Sequence, residues 1–104
     1  MQTQLDNRIG ASAKKLEDFC LKWRVEELSL FGSILGDDFR TDSDIDVLIR
    51  FAPEEKWTLF DLTRMQAELM TILGRNVDLV DVRGLKNPFR RKQILATKKV
   101  VYAA

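Results

Sequence analysis

The sequence predicts an α/β or α+β fold, a small sheet with helices packed mainly on one side. Two observations lead there. Apolar residues recur at helical steps in two separate stretches, and short apolar, partly β-branched runs stand beside them. The resulting order, α-β-(loop)-β-α-β-α-(β), is that of a layered sheet-and-helix domain rather than a bundle or a sandwich. With 104 residues the chain is expected to form a single domain over 1–104.

Each element has its own signal. Leu5, Ile9, Ala13, Leu16, Phe19, Cys20 and Trp23 form one apolar stripe, which predicts a helix over 4–23. Val25 to Phe31 reads as a strand that ends at Gly32-Ser33, and Asp37 to Ser43 as a polar loop. Asp44 to Phe51 is a second strand, β-branched in its middle. Thr58, with Asp61 three residues on, is an acidic variant of a capping box. It opens a helix that runs to about Leu73, with Gly74 placed for a left-handed cap. Asn76 to Val82 is a third strand. Lys86 or Asn87 to Thr97 is a helix with Pro88 in its first turn, and Lys98 to Tyr102 a short final strand. Trp57, just before the Thr58 cap, reads either as a hydrophobic staple or as a surface contact.

Composition excludes several function classes. Hydrophobic residues at 45% and charged residues at 32% are ordinary for a globular chain. No apolar run approaches the roughly 20 residues of a membrane span. The N-terminus shows no basic segment leading into an apolar one, so no secretory signal is expected. A lone cysteine, Cys20, makes no intrachain disulfide, and a cytoplasmic location is the default expectation. Histidine is absent, so acid–base and metal chemistry fall to carboxylates. The net charge of +1 conceals an asymmetry. Residues 83–104 carry seven bases and no acid, which suggests an anionic ligand or partner near the C-terminus.

The chemistry concentrates between Leu30 and Ile49. In a strand, Asp44 and Asp46 share a face, with roughly 6–7 Å between their α-carbons. Two anions so close repel unless a cation stands between them, and carboxylates with phosphate oxygens suit magnesium. Asp78 on the third strand can join that face if the two strands are neighbours. Three carboxylates without histidine fit a two-magnesium phosphoryl or nucleotidyl transfer site. Gly32-Ser33 ends a strand with free backbone N–H groups and a hydroxyl, a cradle for the β- and γ-phosphates of a nucleotide. A Walker A loop is excluded, because no Gly-Lys-Ser or Gly-Lys-Thr occurs.

Gly32-Ser33, ten residues, then Asp44-Ile45-Asp46 resembles the signature of the DNA polymerase beta-like nucleotidyltransferase superfamily, in its minimal nucleotidyltransferase (MNT) branch. The likeness extends to Val77-Asp78-Leu-Val, the Asn87-Pro88 helix and Val100-Val-Tyr. It implies a nucleotidyltransferase fold with a small mixed sheet. It implies metal-binding and catalytic roles for Asp44, Asp46 and Asp78, and phosphate binding by Gly32 and Ser33. One position departs: many relatives carry Arg three residues after the serine, where this chain has Gly36. Arg40 or the basic C-terminal segment are the cations that could compensate.

So short a chain leaves no segment to hold an acceptor, and a partner chain is expected to supply one. Minimal nucleotidyltransferases are often antitoxins paired with a HEPN-domain ribonuclease toxin. The resemblance therefore implies Mg2+-dependent transfer of AMP from ATP to a toxin tyrosine. Two alternatives stay open: an antitoxin that masks its toxin by binding alone, and a nucleotidyltransferase acting on a small molecule or RNA. The basic tail offers only Phe89 and Tyr102 as aromatics, so nucleic acid is not the expected partner.

Overall fold

Strand pairing follows from which side chains must leave water. Leu28 and Leu30 face one side of their strand, and Ile45, Val47 and Ile49 face the same side of the next; all are buried. The computed structural model describes residues 13–35 and 44–104. It contains α1 (Ala13–Lys22), β1 (Val25–Phe31), a 3-10 turn (Gly32–Leu35), β2 (Ile45–Phe51) and α2 (Leu59–Leu73). After these come β3 (Val77–Asp81), a second 3-10 turn (Val82–Gly84), α3 (Pro88–Thr97) and β4 (Lys99–Ala103). The sheet order is β3-β2-β1-β4. β1 is antiparallel to both β2 and β4, while β2 and β3 are parallel, so the sheet is mixed.

The helices divide unequally between the two faces. α1 and α2 cover one face. Leu16, Phe19, Cys20, Met65, Leu69 and Leu73 pack there against Leu28, Leu30, Val47 and Ile49. α3 lies on the other, where Ile94 and Leu85 are buried against Phe31 and Leu48. The expectation of helices mainly on one side is therefore met by two of the three helices among the described residues.

Local signals explain the element ends. Thr58 and Asp61 form the reciprocal capping box: the Asp61 N–H donates to Thr58 Oγ1 at 3.2 Å, and the Thr58 N–H to Asp61 Oδ2 at 2.9 Å. Gly74 closes α2 in the left-handed region at φ 70°. Asn87 caps α3, its Oδ1 accepting from the N–H groups of Phe89 and Arg90 at 3.0 and 3.1 Å. The third strand stops at Asp81 rather than Val82, because the Asp81 carboxylate accepts from the Arg83 N–H and starts a turn. Residues 4–12 of the expected first helix, and the loop through Ser43, lie outside the described residues.

Trp57 points inward. Its ring meets Trp23 edge-on at 5.2 Å and Phe51 at 6.2 Å between centroids, which favours the staple-like reading over a surface contact. Cys20 is buried, and burial pushes its thiol up to about 12, so it is a core residue rather than a nucleophile.

Glu27 on β1 ties down the start of β4. Lys98 donates to its carboxylate, and Arg50 stands 3.5 Å away. These contacts, Lys98 first, hold the Glu27 carboxyl below its usual range against a smaller opposing effect of burial. A carboxyl lowered in the folded state contributes stability above the unfolded value of about 4.3, and that contribution is lost as pH falls through the folded value. Glu27→Gln is expected to lower the thermal midpoint at pH 7 and to bring it closer to wild type below pH 4. Thermal melts across pH 3–8 check this; a constant offset at all pH values contradicts the ion-pair account.

Candidate active site

The site begins with register. In the parallel ladder Asp46 of β2 stands level with Asp78 of β3, and in the antiparallel ladder level with Phe31 of β1. Opposed residues share a face, so Asp46, Asp78 and Phe31 all project toward the α3 side of the sheet. Asp44 stands just before β2, two residues from Asp46. The Ile45 N–H between them donates to the Asn76 carbonyl at 2.8 Å, which fixes the strand's entry. Asp44 and Asp78 are exposed, and Asp46 is half-buried.

Gly32 directly follows Phe31 and has φ +76°. A Cβ placed there would overlap Asp46 Oδ2 and lie 3.2 Å from its Cγ. The glycine thus serves twice: it allows the left-handed backbone, and its missing Cβ leaves the space that the Asp46 carboxylate occupies. Ser33 continues into the 3-10 turn, and its side chain lies outside the described part, as do Gly36 and Arg40.

The electrostatics are those of crowded anions. Burial raises the Asp46 carboxyl above its ordinary value, and Asp78 and Asp44 raise it further; Arg90 of α3 opposes them. Among the described residues, no three acidic side chains form a closed ligand set for a metal ion. The donors are nonetheless of one kind, hard oxygens with no nitrogen or sulfur. That chemistry fits a magnesium ion sharing its ligands with phosphate.

The structure thus brings Gly32, Asp46 and Asp78 to one level of one face, with Asp44 at its edge. Asp81, also on β3, is occupied elsewhere, paired with Arg83 at 3.0 Å. Sequence reasoning missed Arg90 as an individual residue. It was visible only as part of the basic excess after residue 82.

The comparisons with known proteins place this geometry within one family. The nucleotidyltransferase domain model matches residues 13–101, so the chain belongs to that family. One relative is a Methanocaldococcus jannaschii protein provisionally assigned as a protein adenylyltransferase. It is 34% identical over 84% of this chain and 90% of its own. Another is the protein adenylyltransferase MntA of Thermococcus cleftensis, 29% identical over 95% of this chain and 92% of its own. Among solved structures, a minimal nucleotidyltransferase superposes with TM-score 0.69 at 32% identity, covering 84% of this chain and 86% of that one. The fold also matches a chain of the complex between a tri-AMPylated Shewanella oneidensis HEPN toxin and its MNT antitoxin. That match has TM-score 0.62 and 23% identity, and covers 100% of this chain and 74% of that one. Among the described residues no helix is long and apolar enough to cross a membrane.

Two glycine substitutions separate conformation from contact. Gly74→Ala meets nothing within 4 Å, so it carries backbone strain alone, about 1–2 kcal/mol. Gly32→Ala carries similar strain and displaces the Asp46 carboxylate as well. It is expected to lower the thermal midpoint more than Gly74→Ala and to abolish magnesium-dependent nucleotide binding, which Gly74→Ala leaves intact. Melts and calorimetric titrations of both variants check this.

Proposed function

We propose that this chain is the antitoxin of a HEPN/MNT-type pair and transfers AMP from ATP to a tyrosine of its toxin partner. The carrying observation is the shared level of Asp46 and Asp78 on parallel neighbouring strands beside a glycine that bears against Asp46. Support comes also from the relatives named as protein adenylyltransferases and from the toxin–antitoxin complexes of the same fold. A further toxin–antitoxin structure of this fold contains AMP-PNP, with TM-score 0.71 and 20% identity.

In this reading Asp44, Asp46 and Asp78 would hold Mg2+. When bound, that ion supplies charge neutralisation for the triphosphate and for the oxygens that enter and leave. Gly32 and the N–H groups of the turn after β1 receive the β- and γ-phosphates. The tyrosine oxygen attacks the α-phosphorus and forms a new P–O bond. The bridging bond to the β-phosphate breaks, and its electron pair leaves with pyrophosphate. A free tyrosine hydroxyl has a pKa of about 10 and is a weak nucleophile at neutral pH. Asp78, exposed at the open edge of the site, takes its proton.

Asp44→Asn and Asp46→Asn are each expected to reduce transfer by on the order of a thousandfold. Neither should lower the thermal midpoint, because each removes one of several repelling charges. Asp78→Asn is expected to abolish transfer yet keep most ATP binding. Mass spectrometry of the co-expressed toxin after incubation with ATP and magnesium checks these outcomes. Adenylyl groups on a toxin tyrosine with wild type, and none with Asp46→Asn, support the proposal. Silencing of the toxin with no mass change, equally by wild type and Asp46→Asn, shows an antitoxin that acts by binding alone.

A further inference from the structure

Helix α3 lies on the same face of the sheet as Asp46 and Asp78, and it carries a basic residue, Arg90, in its first turns. α3 is seated on the carboxylate face by Ile94, buried against Phe31 and Leu48. Leu48 stands two residues from Asp46 on that face of β2. Arg90 stands four residues before Ile94, one turn along the same helix stripe, next to the Asn87 cap at the helix start. Ile94 and Arg90 thus stand on one stripe of the helix that packs on the carboxylate face.

Three basic neighbours of Arg90 are held by other partners. Arg83 pairs with Asp81, Arg91 donates to the Val82 carbonyl at 3.1 Å, and Lys98 donates to Glu27. The Arg90 side chain is exposed and makes no hydrogen bond or salt bridge among the described residues, although its charge reaches Asp46. A guanidinium held near a carboxylate cluster, yet not paired with it, is free for a ligand that the cluster also binds. Its planar fork matches phosphate oxygens two at a time. A reacting α-phosphorus must lie at the Asp46–Asp78 level. Arg90 stands beyond salt-bridge reach of Asp46, so the phosphates farther along the chain fall to it.

We propose that Arg90 binds the β- and γ-phosphates of the nucleotide. The inference rests on the nucleotidyl-transfer reading above. It also gives the basic C-terminal segment a defined role, in which Arg90 holds the triphosphate before reaction and the pyrophosphate after it.

Calorimetric titration with ATP, inorganic triphosphate and AMP, each with magnesium, tests this on wild type, Arg90→Gln, Arg90→Lys and Lys92→Gln. Arg90→Gln is expected to weaken ATP and triphosphate by about tenfold and AMP by less than about twofold. Arg90→Lys should retain part of the affinity, because the charge remains without the fork. Lys92→Gln removes the same charge elsewhere on α3 and should change neither by more than about twofold. Wild-type binding that Arg90→Gln leaves intact overturns the Arg90 assignment alone. So does an equal loss for ATP and AMP, or an equal loss in Lys92→Gln. A wild-type chain that binds neither ATP nor triphosphate overturns the nucleotidyl-transfer reading and the Arg90 assignment with it.

Discussion

The contact between Asp46 and Gly32 uses the space that a side chain at position 32 would fill. The left-handed φ of Gly32 and the missing Cβ both serve it. The contact exists because Phe31 and Asp46 are opposed in the antiparallel ladder, so the residue after Phe31 turns across the Asp46 side chain. Asp78 then arrives at the same level through the parallel ladder. A slip of one residue in either pairing would send the acids to the other face and dismantle the site.

What resists that slip is apolar packing rather than charge. Truncating a fully buried leucine or isoleucine costs about 2–5 kcal/mol, whereas an exposed ion pair contributes about 1 kcal/mol or less. Ile45, Val47 and Ile49 are fully buried under α1 and α2, while Leu48 is buried under α3. β2 is thus clamped from both faces, and its alternation leaves Asp46 no choice of side. The same α3 contact that buries Leu48 also buries Ile94.

Much of this was legible in the chain. Thr58, Asp61, Gly74, Asn87 and Pro88 are local signals whose physics acts within a few residues, and the elements they bound lie where they predict. The pair Asp44 and Asp46 was legible because strand alternation needs no tertiary knowledge. The level pairing of Asp46 with Asp78 was conditional on strand order, which periodicity does not encode. Asp81 ended β3 one residue early because its side chain competes for backbone N–H groups. Arg90 was hidden for another reason: among several bases on one segment, only the tertiary fold decides whose charge bears on Asp46.

The central claim is that Gly32, Asp44, Asp46 and Asp78 form one cation- and phosphate-binding locus. Paramagnetic NMR tests it most directly. Isotope-labelled protein would be titrated with sub-stoichiometric Mn2+ in the presence of AMP-PNP, and backbone amide line widths recorded residue by residue. The account predicts selective broadening of Gly32, Asp44, Ile45, Asp46 and Asp78, reversed by excess Mg2+, with the far ends of β2 and α2 unaffected. Broadening centred on other acids, such as Asp81 or Glu68, or no selective broadening at all, would contradict it.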